Sequence, residues 1–537
     1  MRALKFEEIT SLGGLARRML KSFERLESPM YQPENLYRSM SVESWPGDWE
    51  GRTLLGLTLL SRATGRRAAY LDQMMKDLDN HLNPKGYLGE VLPQGEFSEQ
   101  QFSGHNWLLR ALIEYYHFTQ ADWVRERIQT ILENLYMPAL GAYGRYPILP
   151  DQRVYQGEAS GSLTGACIGG WHTSSDTGCA YMCLDALSQA YGELDMKFLK
   201  PLLNEMVENL RRIDFVGISV QTHATLSAAR GLLRIHRADG DPGALELARQ
   251  LFGLYLAHGM SENYANHNWF GRPLWTEPCA IVDSWMAAME LFCLTREARY
   301  LETAHRIRFN ALYFAQRSNG GFGCDECVGA ENPILSAHAG AEEAFWCCSM
   351  RGAEGLSQIH RHQLLVEQDA VLLTGYGRFR AETERFSLEC QGDFPLGGEI
   401  FLGITPKDGA VKLGLYAPEY AEDFQVFCGE RALSPTFDGG FAWVTIDSPC
   451  TLRVHFSMNL REEADSSGLM RKYFLGPVMM GVKTAQPVLL KGAPHKAADG
   501  VWKIGEKALI PLWETLDVPM NELAEEKIRC CLRNRLL

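Results

Sequence analysis

Two short stretches of the sequence bring together residue types that bind transition metals. One reads WTEPCA and contains Glu277 and Cys279; the other reads FWCCS and contains the adjacent Cys347 and Cys348. Zinc takes four ligands in a tetrahedron from thiolates, imidazoles and carboxylates, and a thiol loses its proton when it binds. Two adjacent cysteines do not readily bridge to each other, but both can reach one ion where the backbone turns. The pattern predicts one zinc ion bound by Glu277, Cys279, Cys347 and Cys348.

Two plainer interpretations of these cysteines stay open on the residues alone. Cysteine is among the most buried residue types, so each cysteine taken singly is more often an ordinary core residue. Cys324 and Cys327 also form a CxxC pattern upstream of the Cys-Cys pair. Four cysteines are a common structural zinc site, and spacing alone favours that site over one that includes Glu277.

A longer stretch resembles a known enzyme family. From Glu277 to about Gln316 the chain reads EPCAIVDSWMAAMELFCLTREARYLETAHRIRFNALYFAQ. This is similar to the segment of glycoside hydrolase family 127, the β-L-arabinofuranosidases, that opens with Glu-Thr-Cys. The family also has a Cys-Cys pair downstream, matched here by Cys347 and Cys348. FPLGGEIFLGI and RKYFLGPVMMGV resemble its β-sandwich segments.

The resemblance implies roles for individual residues. Glu277, Cys279 and Cys348 would be zinc ligands, and Cys347 would be both a ligand and the nucleophile. The family's general acid/base is a glutamate shortly before the Glu-x-Cys pattern. Position 261 is a serine in this chain, so the role falls to Glu262 across a one-residue gap.

These roles predict a retaining, exo-acting glycoside hydrolase for a furanoside such as a β-L-arabinofuranoside. The chain departs from the family at Phe345, where the family has a further cysteine, and at Ser349, where it has proline, so the sugar stays open. Two alternatives come from other classes. One is a non-catalytic protein with a structural four-cysteine zinc site. The other is a zinc-dependent sugar epimerase or cyclase on a similar helical ring.

A repeat of helical hairpins fills the first two-thirds of the chain. Apolar residues recur at helical spacing, and five short turns interrupt them, anchored at Thr64, Thr119, Gly192, Gly240 and Thr295. Each hairpin must bury one face against the next, so the array must continue or close. With helices near each end, the pattern predicts six pairs, an (α/α)6 toroid over residues 1–363. The same fold follows from the family resemblance, and an open helical solenoid is the alternative.

The composition changes after residue 363. Short segments with period-2 alternation, such as FSLECQG and TLRVHFSM, are separated by Gly, Pro and Asp turns. This alternation predicts an antiparallel β-sandwich domain over residues 364–537. Its last stretch, MNELAEEKIRCCLRNRLL, is predicted to be a short C-terminal helix in which Cys530 and Cys531 are an incidental pair.

Polar and aromatic residues precede the predicted inner helices, where loops of a toroid converge on a concave site. Sugar recognition needs fixed hydrogen-bonding groups together with aromatic faces. The plainer interpretation is that these residues cap helices or pack in the core. Glu96 and Glu99 are predicted to be solvated loop charges. The candidates for substrate binding are Trp45, Asp48, His105, Asp176, His223 and His267.

Composition limits the class of protein. The 537 residues have a net charge of −13 and no basic stripe, which argues against nucleic acid and anionic membranes as partners. No uninterrupted apolar run of transmembrane length is visible, and the first residues lack the apolar core of a secretory signal. Fourteen cysteines without such a signal are typical of a reducing compartment. We therefore expect a cytoplasmic enzyme that acts on imported small saccharides.

Overall fold

The computed structural model describes residues 1–37, 45–153, 161–329, 331–368, 370–484, 490–512 and 514–532. A ring of helices occupies the first two-thirds of the chain, and a region of β-sheets follows.

Twelve helices of the described residues build the ring in alternation, with even-numbered helices inside and odd-numbered helices outside. They are α1 Gly13–Leu26, α2 Asp48–Thr64, α3 Leu71–Asp77, α4 Glu99–Thr119, α5 Asp122–Ile131, α6 Leu184–Glu193, α7 Lys200–Leu210, α8 Thr222–Asp239, α9 Pro242–Leu254, α10 Pro278–Thr295, α11 Ala298–Ile307 and α12 Cys348–Arg361. Each inner helix packs on the next, and α12 returns to pack on α2. The ring is closed, so the predicted (α/α)6 toroid is confirmed and the open solenoid is wrong.

The predicted turns fall where the inner helices end. Helices α2, α4 and α10 end at Thr64, Thr119 and Thr295, and α8 ends one residue before Gly240. The residues that follow these helices have left-handed backbone conformations, for example Gly65 and Gly240, both with φ of 70°. Such residues satisfy the last helix carbonyls and end the helix. Because these turns are local in sequence, they could be predicted from the sequence.

Among the helices that the structure describes, α10 is the one whose length and apolar composition would allow it to cross a membrane. Most of it is buried inside the protein. Its position in the inner ring, in contact with α8 and α12, explains its apolar composition, because an inner helix is covered on nearly all sides.

The strands are mostly short. In chain order the described strands are β1 Arg2–Ala3, β2 Ile9–Ser11, β3 Phe97–Ser98, β4 Leu163–Ile168, β5 Trp171–Ser174, β6 Ile334–Leu335, β7 Leu364–Glu367, β8 Ala370–Leu373, β9 Phe379–Glu382, β10 Phe386–Gly392, β11 Glu399–Pro406, β12 Val411–Tyr416, β13 Glu422–Cys428, β14 Arg431–Ala432, β15 Thr436–Asp438, β16 Phe441–Ile446, β17 Cys450–Ser457, β18 Leu460–Ala464, β19 Arg471–Leu475, β20 Val478–Lys483, β21 Pro494–Lys496, β22 Trp502–Ile504, β23 Lys507–Ala508, β24 Ile510–Pro511, β25 Ile528–Arg529 and β26 Cys531–Leu532.

Two sheets form the predicted sandwich. Their strand orders are β1-β7-β8-β12-β16-β15 and β14-β13-β17-β11-β10-β9-β2. All neighbours are antiparallel except β8 and β12. Strands β1 and β2 come from the chain start and add one edge strand to each sheet. The first residues therefore pair with the sandwich although the division at residue 363 assigned them to the helical domain.

The predicted C-terminal helix is wrong over the described residues. Leu523–Glu525 form one 3-10 turn, and Ile528–Arg529 and Cys531–Leu532 form strands. These strands join a third sheet with the order β18-β19-β20-β25-β6. Long-range pairing with β20 and β6 overrides the local helical pattern. Cys530 and Cys531 are buried in this sheet and belong to none of the potential metal-ligand groups among the described residues.

We predict that Gly51→Ala destabilises the ring, because α2 and α4 approach too closely for a side chain. A Cβ at position 51 would lie 2.2 Å from the backbone nitrogen of Leu108. Overpacking of this kind costs about 1–3 kcal/mol in the free energy of unfolding. Gly253→Ala in α9 is the matched control, because a Cβ there meets nothing within 4 Å. Urea-induced unfolding should show a loss for the first variant and no loss for the second; equal stabilities would contradict the close approach.

Candidate metal centre and active site

The predicted metal ligands lie at the N-terminal ends of two neighbouring inner helices. Glu277 immediately precedes α10 and Cys279 is in its first turn, while Cys347 precedes α12 and Cys348 is its first residue. The N-terminus of a helix carries partial positive charge and favours carboxylates and thiolates. Cys279 is thus brought to Cys347 and Cys348, which are distant in sequence, because α10 and α12 are adjacent in the ring.

The three sulfur atoms form one cluster. Cys348 Sγ lies 3.3 Å from Cys347 Sγ and 3.6 Å from Cys279 Sγ. A tetrahedral ion with Zn–S bonds of ~2.3 Å would hold its sulfur ligands about 3.8 Å apart. All three cysteines are free of disulfides. The spacing therefore fits a shared metal ion.

Glu277 lies beside the cluster at Cys279. Its carboxylate lies within 4.8 Å of the Cys279 sulfur and of a ring nitrogen of His223. His223 Nδ1 is 3.1 Å from Glu277 Oε1, and Gln221 Nε2 donates to Oε2 at 3.4 Å. The backbone NH of Glu277 donates to Asn266 Oδ1 at 2.9 Å. Two potential ligand groups therefore meet at Cys279: one consists of the three cysteines, and the other of Cys279, Glu277 and His223. Their thiols, carboxylate and imidazole suit a divalent metal such as zinc, and the predicted set of Glu277 with all three cysteines stays a prediction.

A buried arginine stabilises negative charge on the cluster. Arg52 donates to Cys279 Sγ at 3.1 Å and is held by Asp48, with both carboxylate oxygens 2.9 Å from its Nε. Burial raises the pKa of Cys279, but hydrogen bonds from Cys347 and Cys348 and the charge of Arg52 outweigh it and hold that pKa well below its ordinary value. Asp48 therefore positions Arg52, and its predicted role in substrate binding stays a prediction.

His223 links the cluster to a buried ionic network. Burial disfavours its charge, but the carboxylates of Glu277 and Asp283 raise the pKa of His223 to about 9. Asp283 lies 3.4 Å from His223 Nε2 and accepts a hydrogen bond from Arg230 at 2.6 Å. Arg351 also pairs with Asp283. His223, predicted as a sugar ligand, is fully buried and orients Glu277 instead.

Access distinguishes the three thiols. Cys279 and Cys348 are fully buried, whereas Cys347 is partly exposed. Two aromatic side chains precede Cys347 and stay open to solvent: Phe345 is 39% exposed and Trp346 is 44% exposed. Cys347 is thus the thiol of the cluster that an external molecule can reach, beside apolar faces suited to the C–H face of a sugar.

The four-cysteine alternative receives no support from Cys327. Its sulfur donates to the backbone oxygen of Asn266 at 3.4 Å and belongs to none of the potential metal-ligand groups of the described chain. Cys324 lies beside Cys348, and hydrogen bonding between them helps raise the pKa of Cys348, after the larger effect of burial. Cys324 therefore borders the cluster, and Glu277 is better placed than Cys327 as a ligand.

His105 is not available to a substrate, contrary to the prediction. It is fully buried, its Nε2 accepts from the backbone NH of Leu88 at 3.0 Å, and its Nδ1 lies 2.9 Å from the backbone oxygen of Gln101. Burial lowers the pKa of His105 to about 4. A neutral imidazole bonded to backbone on both sides is a structural element.

The remaining predicted sugar contacts are not joined by a common feature. Trp45 donates to the backbone oxygen of Gly161 at 2.9 Å and is partly buried. Asp176 is buried, and its charge helps raise the pKa of Cys179, after the larger effect of burial. His267 is partly exposed, and burial lowers its pKa. Their roles in binding stay predictions.

Glu262, predicted as the general acid/base, is held by the sheet region. Its Oε2 pairs with Lys472 Nζ at 2.7 Å, and its Oε1 accepts from the backbone NH of Ser466 at 2.8 Å. The side chain is buried. Both oxygens already have strong partners, so the catalytic role of Glu262 stays a prediction that the contacts do not favour.

Glu326 is a carboxylate that no sequence motif singled out. It pairs with Trp275 in an antiparallel bridge, so the two side chains lie on one face. Glu326 Oε1 lies 2.8 Å from His338 Nδ1, and the His338 ring stacks on Trp275. Unlike Glu262, the Glu326 side chain is about one-third exposed.

Comparison with solved structures identifies the fold. The chain matches a glycoside hydrolase family 127 β-arabinofuranosidase with a TM-score of 0.73 and 13% identity, over 99% of this chain and 98% of the other. It also matches a family 127 β-L-arabinofuranosidase from Geobacillus stearothermophilus T6 with a TM-score of 0.68 and 13% identity, over 98% and 100% of the two chains. A third structure, titled glycoside hydrolase, gives a TM-score of 0.69 at 13% identity over 99% and 97%. The chain therefore shares the complete two-part fold of these proteins, as the sequence resemblance predicted.

No protein-family model matches the sequence, and no curated protein sequence does. The likeness to the solved structures is therefore one of three-dimensional fold.

We predict that the metal depends on Glu277 and Cys279 but not on Cys327. Cys279→Ser and Glu277→Ala should each lower the bound zinc, because each removes a ligand atom of the cluster. Cys327→Ser is the matched control, because that buried thiol bonds only to a backbone oxygen in this region. Metal content is measured by mass spectrometry of the dialysed proteins. Zinc loss from Cys327→Ser together with zinc retention in Glu277→Ala would instead establish the four-cysteine site.

Proposed function

We propose that the protein is a retaining, exo-acting glycoside hydrolase in which Cys347 is the nucleophile. The observation that carries the proposal is the access of Cys347: it is the partly exposed thiol of a cluster of three cysteines, and Glu277 lies beside Cys279 of that cluster. This cluster lies at the N-terminal ends of the inner helices, in a fold shared with family 127 glycosidases. A β-L-arabinofuranoside is the proposed substrate, since two of the similar structures are named as arabinofuranosidases.

The residues of the cluster fit a zinc ion. Bound by Glu277, Cys279, Cys347 and Cys348, zinc would keep the thiols deprotonated and so make a thiolate available at neutral pH. Arg52 and the helix N-termini act in the same direction from the protein side. Such free thiols require a reducing environment, which is consistent with our proposal that the protein works in the cytoplasm.

In the first step, Cys347 Sγ attacks the anomeric carbon of the terminal sugar. A C–S bond forms, the glycosidic C–O bond breaks, and the leaving oxygen takes a proton from a carboxylic acid of the protein. In the second step, the same carboxylate removes a proton from water, whose oxygen displaces sulfur from the anomeric carbon. Two inversions give net retention and return Cys347 as thiolate.

We propose Glu326 as the acid/base in preference to Glu262. Glu326 is partly exposed on the face that carries Trp275, two residues before Glu277 in the chain, and its hydrogen bond to His338 fixes one oxygen. Glu262 is buried in an ion pair with Lys472, which stabilises the charged form and opposes proton donation.

Aromatic side chains support the choice of a sugar as substrate. Phe345 and Trp346 are exposed directly before Cys347, and their rings are 5.0 Å apart in an edge-to-face arrangement. Trp275 adds a third ring near Glu326. Apolar faces beside carboxylates and a nucleophile are suited to a ring that has both C–H faces and hydroxyl groups.

We predict that Cys347→Ser abolishes hydrolysis. A serine hydroxyl at this position has no base to activate it, so kcat/KM for an aryl β-L-arabinofuranoside should fall by at least about 1000-fold. Cys428→Ser, at a partly exposed cysteine of the sandwich, is the matched control and should retain full activity. Full activity of the Cys347 variant on its best glycoside would eliminate Cys347 as nucleophile.

We predict that Glu326→Gln and Glu262→Gln differ in their dependence on the leaving group. Removal of a general acid should cost about 100- to 10,000-fold on an alkyl glycoside and much less on an aryl glycoside with an acidic leaving group. Glu326→Gln should show this pattern and should accumulate a glycosyl adduct on Cys347, detectable by intact-protein mass spectrometry. Glu262→Gln should mainly lower stability, since it leaves Lys472 buried and unpaired. If Glu262→Gln showed the leaving-group dependence and Glu326→Gln mainly lost stability, Glu262 would be the general acid/base.

A further inference from the structure

A second group of metal-ligand residues lies on a small three-stranded sheet, apart from the cysteine cluster. The sheet has the order β3-β5-β4. Glu96 immediately precedes β3, Cys167 lies on β4 and His172 lies on β5. The carboxylate, thiol and imidazole ligand atoms of these residues all lie within 4.8 Å of one another.

The backbone fixes this arrangement. Cys167 and His172 are direct partners across the antiparallel β4–β5 pair, so their side chains lie on one face. A two-residue turn of Gly169 and Gly170, with φ of 61° and 87°, connects the strands. Both glycines have the left-handed conformation that tight hairpins of this type require, which makes the register of the pair specific.

The third residue is brought in by the parallel pairing of β3 with β5. Ser98 is the partner of His172, and the backbone NH of Phe97 donates to Gly170 O at 2.8 Å. A Cβ on Gly170 would lie 2.4 Å from the backbone oxygen of Gly95, so the glycine permits the close approach of the segment that carries Glu96. His172 Nε2 lies 2.8 Å from Glu96 Oε2 as a result.

The donor set is that of a zinc site with one open position. Zinc binds thiolate, imidazole and carboxylate, and sites with three protein ligands complete the tetrahedron with water. Cys167 is exposed, and the side chains of His172 and Glu96 are 35% and 37% exposed, so solvent reaches the fourth position. We propose that Glu96, Cys167 and His172 bind a second zinc ion.

The sulfur atom distinguishes this group from ordinary surface pairs. His455 and Glu399 lie at the same 2.8 Å on the sandwich, with similar exposure. No cysteine joins them in the potential metal-ligand groups of the described residues. A lone His–Glu pair is an exposed hydrogen bond of little stability, whereas the third, soft ligand makes a chelating site.

The position of the site indicates what the ion would do. Strand β3 leads directly into inner helix α4, and Ser98 caps that helix by accepting from the backbone NH of Gln101. The β4–β5 hairpin is joined to the same region, because Gln100 Nε2 donates to Gly161 O at 3.1 Å. Zinc at this point would tie the hairpin to the start of α4, at the end of the ring where the cysteine cluster lies. Because zinc would bind this site only in the folded state, its binding would raise the free energy of unfolding of the protein.

Zinc stoichiometry of the full chain tests the proposal. After equilibration with zinc and dialysis, the wild-type protein should contain two ions per chain, Cys167→Ser one, Cys279→Ser one and the double variant none. His172→Gln should repeat the result of Cys167→Ser, and His455→Gln is the matched control that should keep both ions. Because Cys167 is exposed, its variant should fold and retain any hydrolytic activity. A negative result for the second zinc site is therefore distinguishable from failure of the proposed function.

Titration with zinc alone, in competition with a chromophoric chelator, gives the second readout. We expect the titration of the wild type to show two classes of zinc sites, of which Cys167→Ser and His172→Gln each lack one. The same variants should also lack the part of the zinc-induced increase in melting temperature that comes from the missing site. Equal stoichiometry and equal affinity in the wild type and both variants would overturn the proposal. So would a wild-type protein whose zinc is lost entirely with Cys279→Ser.

Discussion

The sulfur atoms of Cys279 and Cys347 are both held within 3.6 Å of the Cys348 sulfur, at the N-terminal ends of two neighbouring helices, and the site depends on this contact. Thiolates repel one another when they are buried without a counter-charge, so the arrangement requires positive charge around it. The helix N-termini and Arg52 contribute to that charge, and a bound cation would add to it. Closure of the ring places α12 beside α2, which carries Arg52, so the support that Arg52 gives to the cluster depends on completion of the fold.

A network of buried charges supports the cluster from inside the ring. Asp283 contacts His223, and Arg230 links Asp283 to Asp185. Burial opposes the charge of Asp283, but Arg351 and Arg230 hold the pKa of that carboxyl well below its ordinary value. Breaking one partner of such a buried network costs about 3–5 kcal/mol, because it leaves an uncompensated charge. The network therefore fixes the orientation of the histidine that positions Glu277.

Trp107 connects this network to the cysteine side of the site. Its ring lies between the guanidinium groups of Arg52 and Arg351, at 4.4 Å and 4.2 Å, and stacks on His223 at 5.4 Å. An aromatic face attracts cations, so the tryptophan brings two arginines close together despite their repulsion. The inner helices that carry these residues, α2, α4, α8 and α12, are thus coupled electrostatically as well as by packing.

The ring of helices and the grouping of three cysteines could be predicted from the sequence. Helix ends such as Thr64 and Thr295 could be predicted because the turns that follow them are local in sequence. Cys279, Cys347 and Cys348 could be predicted as a group because their metal-binding chemistry is specific. Other features depend on contacts distant in sequence. Glu99 was predicted to be solvated, but it is buried and paired with Arg153 at 3.1 Å. Strand β25 replaced a predicted helix because its partners come from β20 and β6.

The cluster itself is tested most directly by zinc K-edge X-ray absorption of the Cys167→Ser protein, in which this site alone is expected to contribute. One carboxylate and three sulfurs predict a first shell of three Zn–S distances of about 2.3 Å and one Zn–O distance of about 2.0–2.2 Å. A shell of four sulfurs, or one of nitrogen and oxygen only, would contradict the ligand set on which the catalytic role of Cys347 depends.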